Sequence, residues 1–231
     1  MEWLDSARGI AIVLMIAYHV MFDLSYFGIS AIDLYSLPLV LFQRFIGMLF
    51  LLIVGISLAL SESKNNEGYI HHVKRALKLA GVALLITIAT WVYPHDAFIT
   101  FGIIHFIALA TLLAPMFFGF GRTNVLLGLA IIGAGLLMNG IDVSQPYLFW
   151  LGLTTPAYSA LDFYPLFPWF GIVLIGIYAG QSLFTKGESR ISIRATKLDG
   201  ALSFIGRNSL TIYLAHQPIL VGLLLGIKAL I

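Results

Sequence analysis

Cysteine is absent from the 231 residues of this chain, and charged residues are scarce. Without cysteine, neither disulfide bonds nor thiol catalysis can contribute. Charged residues make up 10% of the sequence and hydrophobic residues 60%, with a mean hydropathy of +0.96. Because a soluble domain carries about 25% charged residues, this chain has too little polar surface to fold in water and needs lipid as its solvent.

Long apolar runs occupy most of the chain. A membrane-spanning helix needs about 20 mostly apolar residues, and on that rule the sequence predicts seven spans. They lie at about 3–26, 38–61, 73–93, 101–119, 124–141, 165–184 and 206–231, the fifth being the shortest. Polar turns are predicted at 62–72 and 185–200. The first run lacks a cleavable signal pattern, so we expect it in the mature protein. The predicted fold is an all-α, polytopic membrane bundle forming a single domain, 1–231, without repeats.

Glycines recur within the predicted spans. Gly176 and Gly180 form a G-x-x-x-G pattern in the sixth span, and Gly128, Gly133 and Gly135 lie in the fifth. Small residues let membrane helices approach closely, so these glycines predict tight helix packing.

The basic residues indicate an orientation. Positive charge gathers on the cytoplasmic side of membrane proteins, and a cytoplasmic N-terminus places every lysine and arginine inside except Arg44 and Lys228. The acidic residues do not follow this bias, since five of them fall on or near the outer face: Asp23, Asp33, Asp96, Asp142 and Asp162. His71 and His72 fall among cytoplasmic lysines and are expected to form a solvated, lipid-facing patch. We therefore expect a multi-pass protein of the cell membrane whose polar chemistry lies toward the outer face.

The first span carries ionisable residues at membrane depth. They are Asp5, Arg8, His19 and Asp23. Each ionisable side chain costs about 2.5–3.5 kcal/mol there, so each one is a functional hypothesis. At about 100° per residue, all four lie within roughly 60° of Arg8, and the stripe extends over about 27 Å. Such a stripe can line a transmembrane crevice.

The two ends of this stripe differ in character. His19 and Asp23 are one helical turn apart in the outer leaflet. A carboxylate that hydrogen-bonds a histidine nitrogen fixes the tautomer of the ring and raises its basicity, which is typical of a general base. Asp5 and Arg8 have a simpler alternative as an interfacial ion pair at the helix start.

Two further polar residues occur in the second and fourth spans. Arg44 lies in the outer half of the second span, where arginine is disfavoured, and we expect it to face a carboxylate, with Asp23 as the first candidate. His105 follows Gly102 in the fourth span. It is either a functional residue or a hydrogen-bonded buried histidine.

The last span carries hydrogen-bonding side chains beside a proline. Ser209, Tyr213 and His216 share one face at helical spacing. Pro218 lacks an amide proton, so a kink is predicted next to His216.

Four segments together resemble a known family. They are Asp5-x-x-Arg8-Gly9-Ile10-Ala11-x-x-Leu14-Met15, Gly102-x-x-His105, Asp162-Phe163-Tyr164-Pro165-Leu166-Phe167-Pro168-Trp169 and Gly206-Arg207-x-Ser209-Leu210-x-Ile212-Tyr213-Leu214-x-His216. With His19 and Asp23 after the first segment, the chain resembles the membrane acetyltransferases typified by heparan-alpha-glucosaminide N-acetyltransferase, in a small prokaryotic form.

This resemblance implies transfer of an acetyl group from cytoplasmic acetyl-CoA to an amino or hydroxyl group of a sugar on the far side of the membrane. The expected catalytic residues are His19, Asp23, Arg44 and His105. The expected residues for binding acetyl-CoA are Asp5, Arg8, Arg207, Asn208, Ser209 and His216. The animal enzymes place a histidine in the loop after the first helix, whereas residues 25–36 contain none. The role of His19, as general base or acyl carrier, therefore follows the wider group of membrane sugar acyltransferases.

The expected partners are acetyl-CoA as co-substrate, an amino sugar or glycan acceptor, and membrane lipids; neither a metal nor nucleic acid is expected. The oligomeric state is open, with a homodimer as one candidate. A proton-coupled transporter would also carry charged residues at membrane depth, but with paired broken helices in matching halves, and the sequence predicts one break and no repeat. A structural or lipid-binding protein would explain the glycines and aromatics but not the charged stripe.

Overall fold

The computed structural model describes residues 2–65, 68–185, 188–189 and 197–228. The α-helices are α1 Glu2–Tyr26, α2 Leu37–Asn65, α3 Tyr69–Val92, α4 Ile103–Leu113, α5 Thr123–Met138, α6 Leu166–Leu183, α7 Lys197–Arg207 and α8 Ser209–Lys228. Short 3-10 helices cover His95–Ala97, Ala114–Phe120 and Pro146–Leu151, and Phe184–Thr185 pairs antiparallel with Glu188–Ser189. The predicted all-α membrane bundle is confirmed.

Six of the described helical segments are long and apolar enough to cross a membrane. One of them joins α4 to the 3-10 helix that follows it, as Ile103–Phe120. The predicted fifth span corresponds to α5, an apolar helix of 16 residues. The described residues thus contain six segments of spanning length and one shorter apolar helix, α5, at the position where the sequence predicts the shortest span. The chain is a multi-pass membrane protein.

The predicted last span begins too early. Residues 197–207 form the separate helix α7, although the sequence predicts a polar turn as far as residue 200. Asn208 ends α7, because its side-chain Nδ2 donates a hydrogen bond of 2.9 Å to the carbonyl of Phe204. Asparagine competes in this way for backbone partners and interrupts helices. The basic residues Lys186, Arg190 and Arg194, expected in the cytoplasm, lie outside the described residues.

One compact unit comprises Met1–Ile53 and Ser192–Ile231. In it, α7 and α8 pack against α1. A Cβ atom at Gly9 would collide with the backbone of Leu202, and one at Gly206 would collide with the backbone of Asp5. These two glycines therefore allow backbone-to-backbone contact between α1 and α7. Further along α1 lies an apolar core of Ile12, Met15, Tyr18 and Ile46.

The second unit comprises Val54–Ile191. Here α5 packs against α6, and α3 against α4. A Cβ atom at Gly128 would meet the carbonyl oxygen of Gly171 at 2.7 Å, and one at Gly135 would meet Pro168. A Cβ atom at Gly180 would meet Ile56 and Ala59 of α2, and one at Gly55 of α2 would meet the Cα of Gly176 at 2.9 Å. The packing prediction is confirmed for these glycines but not for Gly133, where an added Cβ atom would meet nothing within 4 Å among the described residues outside its own helix.

Candidate functional site

The polar stripe of α1 lies on the buried side of that helix. Asp5 and Asp23 are buried, and Arg8 and His19 are half-buried. The helical spacing predicts that these four residues form a single stripe. The stripe is buried because α7 and α8 pack against α1. It divides into two clusters, one at each end of α1.

The first cluster lies at the start of α1. Arg8 Nη1 donates a hydrogen bond of 2.5 Å to Asp5 Oδ1, so the interfacial ion pair predicted as the simpler alternative is formed. Arg207, at the end of α7, is exposed and donates a hydrogen bond of 3.3 Å to Ser203 Oγ. Asn208 is exposed and Ser209 half-buried at the α7–α8 junction. The expected donor-binding residues other than His216 therefore gather at this end of the unit.

The second cluster contains two histidines from different helices. The ring centroids of His19 and His216 are 4.7 Å apart, at an interplanar angle of 60°. His216 is 8% exposed, and its Nδ1 contacts the backbone carbonyl of Tyr213. Nδ1 of His19 and Nε2 of His216 are buried without a hydrogen-bond partner in the described part of the chain. His216 therefore lies with His19 rather than with the donor-binding residues.

Asp23 completes this cluster with a partner that the sequence did not predict. It is 2% exposed, and its Oδ1 accepts a hydrogen bond of 3.4 Å from Nε2 of Gln217. Among the residues described, the predicted hydrogen bond between His19 and Asp23 is not formed. Oδ2 of Asp23 and Oε1 of Gln217 are buried there without a partner. We refer to His19, Asp23, His216 and Gln217 as the two-histidine cluster.

Arg44 does not join the two-histidine cluster. Its side chain is exposed and forms no ion pair with Asp23 in the described chain, so that prediction is wrong. The reason is helical phase. Phe42 and Ile46 face the apolar core of this unit, and Arg44, two residues from each, lies about 200° around the helix from both.

His105 lies in the second unit and is fully hydrogen-bonded. Its Nδ1 accepts from the Gly102 amide at 3.3 Å, and its Nε2 lies 3.0 Å from Thr87 Oγ1. Since the Thr87 hydroxyl donates to the carbonyl of Ile99, Nε2 of His105 is the donor to Thr87. Of the two predicted alternatives, this geometry favours the hydrogen-bonded buried histidine, which caps the start of α4.

His72 contradicts the expected solvated, lipid-facing patch. It is 3% exposed, and its Nε2 lies 3.2 Å from Oε2 of Glu62 at the end of α2. Its ring also contacts Phe118, with centroids 5.6 Å apart. The contact with the Glu62 carboxylate offsets the free-energy cost of burying the His72 ring. Nothing in the sequence around His72 indicates this partner.

Asp162 also acts at the start of α4, outside the membrane-spanning segments. Its Oδ2 accepts a hydrogen bond of 2.8 Å from the amide of Ile103. Burial raises the pKa of Asp162 to about 6, and this hydrogen bond opposes the rise. The motif that contains Asp162 is apparent in the sequence, but its capping role requires the contact between distant segments.

The raised pKa of Asp162 predicts a pH dependence of stability. The folded chain holds the proton of this carboxyl more tightly than the unfolded chain, so its contribution to stability is greatest below about pH 4 and falls as the pH rises to about 6. Asp162→Asn keeps an acceptor for the amide of Ile103 but cannot titrate. We expect Tm, measured in detergent, to fall less with pH in Asp162→Asn than in the native chain. Parallel curves would contradict this, and exposed Asp33→Asn is the matched control.

Gln217 is the cluster residue that sequence reasoning did not select. The available signal was an amide side chain between His216 and Pro218 in an apolar helix. Helix α8 runs through Pro218 as one element. Proline removes the hydrogen bond to the carbonyl four residues earlier, and the adjacent polar side chains face α1.

Comparison with known protein families gives a match. The profile of the heparan-alpha-glucosaminide N-acetyltransferase catalytic family matches residues 1–218. The chain belongs to this family. The predicted resemblance is thereby confirmed, and the family implies an acetyltransferase of a membrane that uses acetyl-CoA as co-substrate. No curated protein sequence and no solved structure matched the chain significantly.

The match to the heparan-alpha-glucosaminide N-acetyltransferase family covers the N-terminal segment of the first unit and its C-terminal segment as far as residue 218. It includes the stripe on α1 and reaches Pro218, so the whole two-histidine cluster lies within it. Within the described residues, no group of three histidine or carboxylate side chains is placed to hold a metal ion.

Proposed function

We propose that this chain transfers an acetyl group from cytoplasmic acetyl-CoA to the amino group of a sugar on the extracytoplasmic side of the cell membrane. The observation that carries the proposal is the two-histidine cluster. Two histidines, a carboxylate and an amide from α1 and α8 meet there, and four of their buried polar atoms lack a partner among the described residues. Buried polar atoms without partners are costly, so their retention favours a substrate that satisfies them.

In this proposal His19 removes a proton from the acceptor. Its Nδ1 is buried and has no partner in the described chain. Histidine titrates near neutral pH and is the commonest general base. A base at this position receives the proton as the new bond to the acetyl carbon forms. A role as acyl carrier remains the alternative for the same nitrogen.

Asp23 and Gln217 position the acceptor. The hydrogen bond from Gln217 Nε2 to Asp23 orients the amide. Gln217 Oε1 and Asp23 Oδ2 are then two acceptor atoms without partners in the described part of the chain. An ammonium group offers several donors and a positive charge, so it satisfies both atoms, whereas a hydroxyl group has only one donor. The cluster therefore favours an amino group over a hydroxyl group.

Arg207 is the best candidate for the phosphates of acetyl-CoA. The charge of Arg8 is already balanced by Asp5 at 2.5 Å. Arg207 is exposed and forms no ion pair among the residues described. Arginine binds phosphate through two parallel hydrogen bonds, so we assign the donor to the α7 end of α1, with Asn208 and Ser209 beside it.

Thiol release from acetyl-CoA by the purified chain tests this proposal. We expect release with glucosamine-type acceptors and much less with the matching hydroxyl sugars. In Asp23→Asn the preference for the amine, as a ratio of kcat/KM values, should fall about tenfold or more, because hydrogen bonds to a charged group contribute about 1.5–3 kcal/mol. The control is exposed Asp33→Asn, which should keep the native ratio.

Two outcomes count against the proposal. Absence of thiol release with every acceptor would reject an acetyltransferase and favour a proton-coupled transporter that uses the same buried groups. Release with an unchanged amine preference in Asp23→Asn would reject the acceptor site while retaining the activity.

A further inference from the structure

The tautomer of His216 is defined by its backbone contact. Nδ1 of His216 lies against the carbonyl oxygen of Tyr213, one turn earlier on α8. A carbonyl oxygen can only accept a hydrogen bond, so Nδ1 carries a proton and donates it. In the neutral ring the second nitrogen, Nε2, is then an unprotonated acceptor. The same carbonyl stabilises the ring when Nε2 gains a proton.

Nε2 of His216 is buried but has no partner in the part of the chain that the structure describes. The ring of His19 is its neighbour, with centroids 4.7 Å apart. The ring of Tyr213 lies at 5.5 Å on its own helix. Nε2 of His216, which can accept a proton, thus belongs to the ring beside His19, the residue proposed to deprotonate the amino sugar.

We propose that His216 is a second catalytic residue, which takes the proton from His19 and delivers it to the sulfur of the departing thiolate. This inference rests on the proposed acetyl transfer. In the overall step the C–S bond of the thioester breaks and a C–N bond to the acceptor forms. The acceptor reacts as the neutral amine, its ammonium form having released one proton to water before the attack. The N–H proton lost as the C–N bond forms passes to His19, then to Nε2 of His216, and ends as the S–H proton of the free thiol.

A reaction at membrane depth requires a proton for the thiolate that leaves, and His216 can supply it. An alkyl thiolate that leaves inside an apolar bundle is costly unless it is protonated or paired. His19 already serves the acceptor, and Asp23 is hydrogen-bonded to Gln217. His216 is the cluster residue whose ring is held by a hydrogen bond at Nδ1 while its other nitrogen, Nε2, is able to take a proton.

A comparison of leaving groups tests this role. S-acetyl-N-acetylcysteamine releases an alkyl thiol similar to that of CoA, whereas S-acetyl nitrothiophenol releases a stable thiolate that needs no proton. Both donors lack the nucleotide. We expect His216→Gln to reduce acetylation of glucosamine about 100-fold with the alkyl donor, but only a few-fold with the aryl donor. His19→Gln should lose activity to a similar extent with both donors, because deprotonation of the acceptor does not depend on the leaving group.

The pH dependence of kcat with acetyl-CoA provides a second readout. In this relay Nε2 of His216 starts unprotonated, so kcat of the native chain should fall toward low pH as that nitrogen gains a proton, and the position of this fall should shift in His216→Gln. Among the described residues, His19 on α1 and Tyr213 on α8 are the titratable groups in contact with the ring of His216; Asp23 bonds to the adjacent Gln217, and Tyr18 contacts His19. Variants of Tyr18 and Tyr213 to phenylalanine should retain the fall.

Equal losses of His216→Gln with both donors, or a native pH profile in that variant, would overturn the role of His216. If the truncated donors are not used, the profile with acetyl-CoA decides alone. Absence of acetyl transfer by the native chain with every donor would reject the proposed function itself, which is a different result.

Discussion

We expect His19→Gln to lower kcat/KM for acetyl transfer to an amino sugar by about 100-fold or more, because a positioned general base contributes about 10²–10⁴-fold. The half-buried ring of His19 contacts His216, and its Nδ1 has no partner among the described residues. Glutamine is polar and of similar reach but cannot take a proton. Initial rates of thiol release in detergent, normalised to folded protein, measure the effect.

The matched control is His95→Gln. His95 is exposed and lies in the short 3-10 helix His95–Ala97, outside the membrane-spanning segments. We expect that variant to retain native rates. Native activity in His19→Gln would remove His19 from the mechanism while leaving the family membership intact.

We expect Gly9→Ala to destabilise the fold by about 1–3 kcal/mol, the usual cost of adding a methyl group to a packed contact. A Cβ atom at Gly9 would collide with the backbone of Leu202. Backbone atoms cannot rotate away as a side chain can, so α7 has to move. A lower Tm in detergent, with reduced activity from the displaced Arg207, is the expected result.

Gly81→Ala is the matched control for this substitution. Gly81 lies within α3, and its added Cβ would have no neighbour within 4 Å. Alanine favours a helix by about 0.5–1 kcal/mol over glycine, so Tm should be unchanged or slightly higher. Equal Tm values for Gly9→Ala and the native chain would show that the α1–α7 contact adapts without strain.

The membrane bundle and the stripe on α1 were predictable because each depends on local information. Hydropathy indicates spans without knowledge of their partners, and helical periodicity places Asp5, Arg8, His19 and Asp23 on one face. The ion pair of Asp5 and Arg8 was also foreseeable as one alternative, since residues three apart on a helix are neighbours.

The partners of His19 and Asp23, in the C-terminal half of α1, were not predictable from one helix alone. Asp23 pairs with Gln217, and His19 contacts His216, because of the register between α1 and α8. A sequence without contact information favours the local pair of His19 and Asp23 instead. The error for Arg44 has the same origin, since the residues that face the core on α2 are not identifiable in a helix that is apolar all round.

The break at Asn208 and the burial of His72 show two other limits. A single asparagine divides an apolar stretch into α7 and α8, although hydropathy averages over it. His72 is buried because Glu62 approaches it from α2, whereas composition placed it among exposed lysines.

Sealed vesicles that contain the native chain test the central claim most directly. Acetyl-CoA is supplied outside, and an amino sugar that cannot cross the membrane is trapped inside. Transfer across the membrane predicts N-acetylated sugar inside and free thiol outside, both strongly reduced in His19→Gln vesicles. Acetylation that occurs only when both substrates share one side, or that is equal in His19→Gln vesicles, would contradict it.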